Sequence, residues 1–244
     1  MIIIIKILSL SWFEQIVKSM GTCDQCIVRE FSSLKTLNKE ELLKVANCKT
    51  SHRIKKGENL FEEGQNVNGV FCIKSGVCKI SKLSDNGKSH IVKLITKGDI
   101  LGERSLVNDE PLNLSATALE NMEVCFIPKS EILSLFKTNS DFSLNILKNV
   151  CENLREADND LVNMAQKTVK ERLAHTLLYL QDKFGIDEDN TLKIQLSREE
   201  ISGLIGTATE SCIRLLSEFK KEGLIDLIGK KISIENEKEL RRMI

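Results

Sequence analysis

The chain has 244 residues, 35 Lys and Arg set against 35 Asp and Glu, and 41% hydrophobic residues. That length can bury two cores, and the composition excludes the disordered and fibrous classes. The even charge balance excludes a chain that is basic or acidic throughout, so any basic surface for a polyanion has to be local.

The chain starts "MIIIIKILSLSWFEQIVKSM". Its only early cation, Lys6, lies inside the apolar run and no small-residue cleavage site follows, so it reads poorly as a signal peptide. The run Ile2–Ile5, Ile7 and Leu8 is also far short of the ~20 apolar residues that span a bilayer. Met20, just ahead of "GTCDQC", is expected to be the natural start, and residues 1–22 are expected to be an extension or a disordered N-terminus. No membrane partner is expected. Without an export signal the eight cysteines are expected in a reducing cytoplasm, where thiols stay free, bind metals or sense redox state.

From about His52 to Ile127 short β-rich runs alternate with glycine turns, and Asn86-Gly87 is the pairing that a type I′ hairpin turn requires. That spacing predicts an antiparallel roll or barrel. Pro111 and Pro128 fall at loop or strand-end positions, as the missing N–H demands. After Lys129 the period lengthens. Leu147, Val150, Leu154, Ala157, Leu161, Met164 and Thr168 recur three and four apart, placing them on one stripe of a long helix. Such a stripe can pack on its own roll or on a second copy, and the charged flanks Glu152, Arg155, Glu156, Asp158 and Asp160 favour a parallel homodimer.

Beyond Val169 the sequence predicts a helix, an acidic "IDEDN" loop, a strand "TLKIQL" and then two short helices joined by a tight turn. Ser197 and Glu200 form a capping box, and Gly206 ends the first of these helices. The second is expected to carry Ile213, Leu216 and Phe219 inward and to stop at Gly223. With the hairpin "LIDLIGKKISIEN" behind them, they describe a winged helix-turn-helix.

This order of parts resembles the Crp/Fnr family of bacterial transcription regulators from about Cys23 to the C-terminus. The segments "IKKGENLFEEGQ", "GDILGERSL" and "LSREEISGLIGTATESCIRLLSEFKKEGLI" stand where that family's pattern expects them. The similarity is closest to the Fnr branch, although its E-x-x-S-R recognition signature has Ile213 in the serine's place. The resemblance implies an α+β fold. Residues 23–137 would form a cyclic-nucleotide-binding-like antiparallel β-roll, 138–168 a dimerisation helix, and 169–244 a winged helix-turn-helix. It also implies a non-enzymatic regulator that binds double-stranded DNA as a homodimer and works with RNA polymerase.

Groove chemistry agrees. Arg pairs bidentately with guanine O6/N7 and Glu accepts from cytosine N4, so Glu210 and Arg214, one helical turn apart, fit base reading. Thr207, Thr209 and Ser211 suit phosphates or the cap, while Lys220, Lys221, Lys230 and Lys231 offer charge to the DNA backbone. Outside such a motif the Glu210–Arg214 pair would be an ordinary i, i+4 surface pair. Residues 169–244 hold 13 Lys and Arg against 14 Asp and Glu, so binding requires charge segregation.

In cyclic-AMP-binding members a Gly-Glu pair caps the ribose and an arginine neutralises the phosphate. Gly102 and Glu103 are present, but Leu114 occupies the arginine's position and Arg104 is expected on a different edge, which disfavours a cyclic nucleotide. A roll that takes another small metabolite is the alternative.

The Fnr pattern, C-x2-C-x5-C plus a distant cysteine on the roll, is matched at Cys23, Cys26 and Cys125, with Ser32 at the remaining position. Cys48 is the candidate fourth ligand of an iron–sulfur cluster or zinc site. Against that stands ordinary burial, the expectation for Cys72, Cys78, Cys212 and Cys151. The three histidines, His52, His90 and His175, lie on unlike elements, and no thioredoxin-like context surrounds "CDQC", so a thiol oxidoreductase is disfavoured.

Overall fold

The computed structural model describes residues 26–84, 87 and 89–244, the side chains of Ile27 and Phe31 excepted. Cys23, Asn86 and the N-terminal extension lie outside the described residues.

The chain divides into two compact units, one of residues through Cys78 with Ile95–Asn149, the other of Lys79–Leu94 with Val150–Ile244. In the first, two 3-10 turns, Ile27–Phe31 and Ser33–Thr36, lead into α1 (Lys39–Cys48). Strands β1 (Thr50–Ile54), β8 (Met122–Pro128), β3 (Gly69–Ser75) and β6 (Ile100–Leu101) form one antiparallel sheet in the order β1-β8-β3-β6. β2 (Asn59–Phe61) pairs with β7 (Ser115–Ala118). Gly69 has to be glycine because an added Cβ would lie 2.3 Å from the Ile127 carbonyl oxygen.

One face of the four-stranded sheet carries Val70, Cys72, Cys125 and Ile127, packed with Leu34 and Leu37 of the turns, Leu42 and Val45 of α1, Ile132 and Leu135 of α3 (Lys129–Thr138), and Phe142 and Ile146 of α4 (Ser140–Gln166). Asn139 fixes the bend between α3 and α4. Its Oδ1 accepts from Phe142 N–H at 2.8 Å and its Nδ2 donates to Glu41 in the capping box of α1 at 2.8 Å.

The second unit begins with the hairpin of β4 (Cys78–Leu83) and β5 (Ser89–Ile95), whose turn uses Gly87 at φ 77°. Helix α5 (Val169–Phe184) opens with a Thr168/Glu171 capping box. Thr168 is therefore a cap, and the stripe of α4 ends before it. The predicted strand "TLKIQL" is absent as a strand; Thr191 and Leu192 make only isolated bridges, to Ser233 and Ile186. α6 (Arg198–Ile205) and α7 (Thr209–Lys221) make the helix-turn-helix, β9 (Ile225–Ile228) and β10 (Lys231–Ile234) the wing, and α8 (Glu237–Arg242) closes the chain. The hairpin packs on α6: a Cβ on Gly203 would lie 3.1 Å from the Ser89 carbonyl oxygen and 3.3 Å from Ile91. Among the described residues no helix is long and apolar enough to cross a membrane.

Candidate nucleic-acid interface

The turn between α6 and α7 is built as its sequence demands. Ser197 Oγ accepts from Glu200 N–H while the Glu200 carboxylate accepts from Ser197 N–H, which starts α6. Gly206 at φ 62° ends it, and Thr207 N–H closes the turn on the Ser202 carbonyl at 3.1 Å. Ala208 gives α7 no side-chain cap, so the first-turn N–H groups remain available to solvent or to phosphate oxygens. Ser202 Oγ and Thr209 Oγ1 lie 3.2 Å apart, so Thr209 is held within the motif.

Helix α7 buries Cys212, Leu216 and Phe219. Burial pushes the Cys212 thiol up to about 11, although the nearby Arg198 charge opposes it, so this cysteine stays a protonated packing group. The spacing 212, 216 and 219 sets the inward face, and it corrects one expectation: Ile213 points away from the core and is 47% exposed. Glu210, Ile213, Arg214 and Ser217 are all exposed at i, i+3, i+4 and i+7, so they share one face. Ser211 and Thr207 are half-buried at its margin.

The expected backbone lysines divide into two groups. Lys220 pairs with Asp226 and donates to the Leu227 carbonyl, and Lys231 pairs with Asp187 at 3.2 Å and Asp189 at 2.7 Å. Lys221 and Lys230 are exposed, Lys230 in the wing turn beside Gly229. The acidic loop thus binds the wing's own Lys231. Hydrogen bonds from Thr191 N–H and Oγ1, followed by Lys231, lower the Asp187 carboxyl to about 2 against the cost of desolvation. Sequence reasoning passed over Arg198, whose Nη2 donates to the Gly229 carbonyl at 3.0 Å and ties the wing turn to the start of α6.

On α4, Leu147, Val150, Leu154, Ala157 and Leu161 are exposed, with Leu154 at 62% and Leu161 at 70%. Met164 differs: it is half-buried, and its Sδ would lie 3.2 Å from a Cβ on Gly206.

The candidate metal ligands do not gather. Among the described residues no group of three or more His, Cys, Asp or Glu could hold a metal ion. Cys26 is half-buried ahead of the first turn, Cys48 donates from Sγ to the Val45 carbonyl at 3.4 Å, and Cys125 Sγ lies 3.6 Å from Ser51 Oγ. Ser32 is a cap rather than a vacant ligand: its buried hydroxyl donates to the Arg29 carbonyl at 3.0 Å and accepts from Leu34 N–H at 3.3 Å. Cys26, Cys48 and Cys125 are thus not brought together among the described residues, and Cys23 lies outside them.

Residues 51–139 match the cyclic nucleotide-binding domain family, and residues 171–243 match the Crp-like helix-turn-helix domain family. The chain belongs to the Crp/Fnr family. As a Crp/Fnr protein it is a DNA-binding transcription regulator. It is 26% identical to the transcriptional activator protein FnrA of Stutzerimonas stutzeri over 87% of this chain and 88% of that protein. To the CRP-like cAMP-activated global transcriptional regulator of Mycobacterium tuberculosis strain H37Rv it is 28% identical, over 77% and 84%. The structure of FixK2 from Bradyrhizobium japonicum shares the fold with a TM-score of 0.70 at 21% identity, covering 80% of this chain and 96% of that one.

In this Crp/Fnr chain Gly102, at φ 95°, precedes α2 (Glu103–Asn108), and Leu114 is half-buried just before β7. Arg104 is exposed and donates from Nη2 to Asn113 Oδ1, so it lies beside the Leu114 position rather than on a separate edge.

Proposed function

We propose that this regulator reads DNA as a homodimer, with the exposed face of α7 in the major groove and the apolar stripe of α4 as the seam between copies. The observation that carries the reading is the joint exposure of Glu210, Ile213 and Arg214 at the start of a helix whose opposite face, Cys212, Leu216 and Phe219, is fully buried. Arg214 would pair with guanine O6/N7, Glu210 would accept from cytosine N4, and Ile213 would lie against a thymine methyl. Thr207, Thr209, Ser211 and the wing's Lys230 would hold the register on phosphates. The pairing of Lys231 with Asp187 and Asp189 supports this division, since it spends the acidic loop on a wing lysine and leaves Lys230 unscreened.

The apolar positions of α4 support the dimer. Leu147, Leu154 and Leu161 recur every seven residues and are exposed in the single chain, whereas a coiled-coil seam buries such positions. Two recognition helices held on one seam would meet half-sites one helical turn apart. Acting on transcription from that position, the dimer would contact RNA polymerase in the cytoplasm.

Among the described residues Cys26, Cys48 and Cys125 form no ligand set, and Cys23 lies outside them, so this reading routes no step through a metal. Leu114 brings no charge to a phosphate and the neighbouring Arg104 is engaged by Asn113, so the cyclic-AMP activation named for the mycobacterial relative is not carried over.

The test is competition binding of the full chain to a selected site and to substituted sites, repeated with Arg214→Ala. Loss of discrimination at one G·C pair, worth about 1–3 kcal/mol, with unchanged circular dichroism is expected. Equal selectivity of the two proteins would refute the assignment.

A further inference from the structure

Cys72 and Cys125 are direct cross-strand partners in the β3–β8 pair, on the sheet face covered by the 3-10 turns and α1. From this juxtaposition we infer that they form a dithiol pair that closes to a disulfide on two-electron oxidation. The pair does not depend on the DNA-reading assignment.

Residues directly opposite in an antiparallel pair have Cα atoms ~4.5–5.5 Å apart, inside the ~4.4–6.8 Å range that a disulfide spans. Their Cβ atoms project to the same face at ~4.5–5.5 Å, so closure requires a local contraction of the ladder and no change of register. A bulge in β3 follows between Ile73 and Ser75, which gives the strand a place to absorb that contraction. Both thiols are largely buried, Cys72 at 7% and Cys125 at 9% exposure. The route in is from the edge: Cys125 Sγ lies 3.6 Å from the hydroxyl of Ser51, an exposed residue of the edge strand β1. Cys125 is thus the thiol an oxidant meets first, and Cys72 resolves it.

The oxidant is a peroxide. The Cys125 thiolate attacks one peroxide oxygen, the O–O bond breaks, and a sulfenic acid forms with release of water once the leaving oxygen takes up a proton. The Cys72 sulfur then attacks the sulfenic sulfur. The S–S bond forms, the S–O bond breaks, and the departing hydroxide takes the Cys72 proton as a second water. Two electrons pass from the sulfurs to the peroxide. A small-molecule thiol returns the pair to the reduced state by exchange.

Trypsin separates the two cysteines cleanly. Cys72 is the sole cysteine of peptide 57–74, and Cys125 is the sole cysteine of peptide 105–129. The experiment exposes the reduced full-length chain to hydrogen peroxide, alkylates the remaining thiols and digests without reductant. The expected product is peptide 57–74 joined to peptide 105–129, abolished by dithiothreitol and absent from Cys72→Ser and Cys125→Ser. In Cys72→Ser, Cys125 should instead be trapped as a sulfenic acid by dimedone. Cys125 joined to Cys26 or Cys48, or both peptides alkylated after peroxide while native circular dichroism is kept, would overturn the inference.

Discussion

Lys79 Nζ lies 3.1 Å from Glu200 Oε1, and the two side chains are only 22% and 20% exposed. The pair joins the β4–β5 hairpin to the first helix of the helix-turn-helix at the carboxylate that also caps that helix. Burial raises the Glu200 pKa, yet the Ser197 N–H and the Lys79 cation lower it by more, so the carboxylate is held ionised. The hairpin is continuous in sequence with the first unit at Cys78 and Ile95.

Lys79→Glu should destabilise the chain by about 1–2 kcal/mol, because it sets two carboxylates together in a partly desolvated place. Adding Glu200→Lys should recover part of that loss, since the swapped pair restores the attraction but not the cap. Urea unfolding of both single variants and of the double variant measures the coupling. Strict additivity would mean that the pair does not hold the hairpin to α6.

Ile213→Ser should weaken discrimination at one T·A step by about 1 kcal/mol while leaving binding to non-specific DNA unchanged. The side chain is already exposed in the free protein, so thermal stability should shift little. Competition binding against thymine-to-uracil substituted sites checks it, because uracil removes only the methyl group that Ile213 is proposed to touch.

Asp187 gives the wing a pH dependence. Its folded-state value is lowered from 3.8 to about 2, so its contribution to stability is fully present above 3.8 and is lost as the pH falls toward 2. Asp187→Asn should therefore be less stable than the parent near neutrality, and the gap should close across that acid window. Chemical denaturation at stepped pH gives the comparison, with a gap that stays constant through the window as the contrary result.

Much of the second unit was legible because its signals are local. Ser197 with Glu200, the φ 62° of Gly206 and the φ 69° of Gly223 each act within one turn, and the elements end where those residues place them. Errors arose where a neighbouring element decided the outcome. Ile213 was expected inward on apolar character, but α7 is oriented by Cys212, Leu216 and Phe219, which leaves residue 213 outside. "TLKIQL" has strand composition but meets β10 only at the Thr191–Ser233 bridge, and its other bridge, Leu192–Ile186, is equally isolated, so no ladder forms. Arg104 met Asn113, and Cys72 met Cys125, across loops whose closure no spacing rule encodes. Ser32 held the position of the family's third cysteine, and only the turn geometry identifies it as a cap.

Leu154→Asp should separate the copies. The residue is 62% exposed in the single chain, so the folded monomer should lose about 0.5 kcal/mol or less, whereas a charge in a paired seam is costly. Light scattering should give half the parent's mass, and affinity for a two-half-site DNA should fall far more than affinity for a single half-site. A parent that is already monomeric would exclude the seam.

The central claim is that two copies of α7 read DNA together, and selection of bound sequences from a random duplex library by the full-length chain tests it most directly. The expected enrichment is an inverted repeat whose half-sites are centred one helical turn, ~34 Å, apart, with a G·C pair that loses its enrichment in Arg214→Ala. Enrichment of a single unrepeated half-site, or none over the starting library, would contradict it.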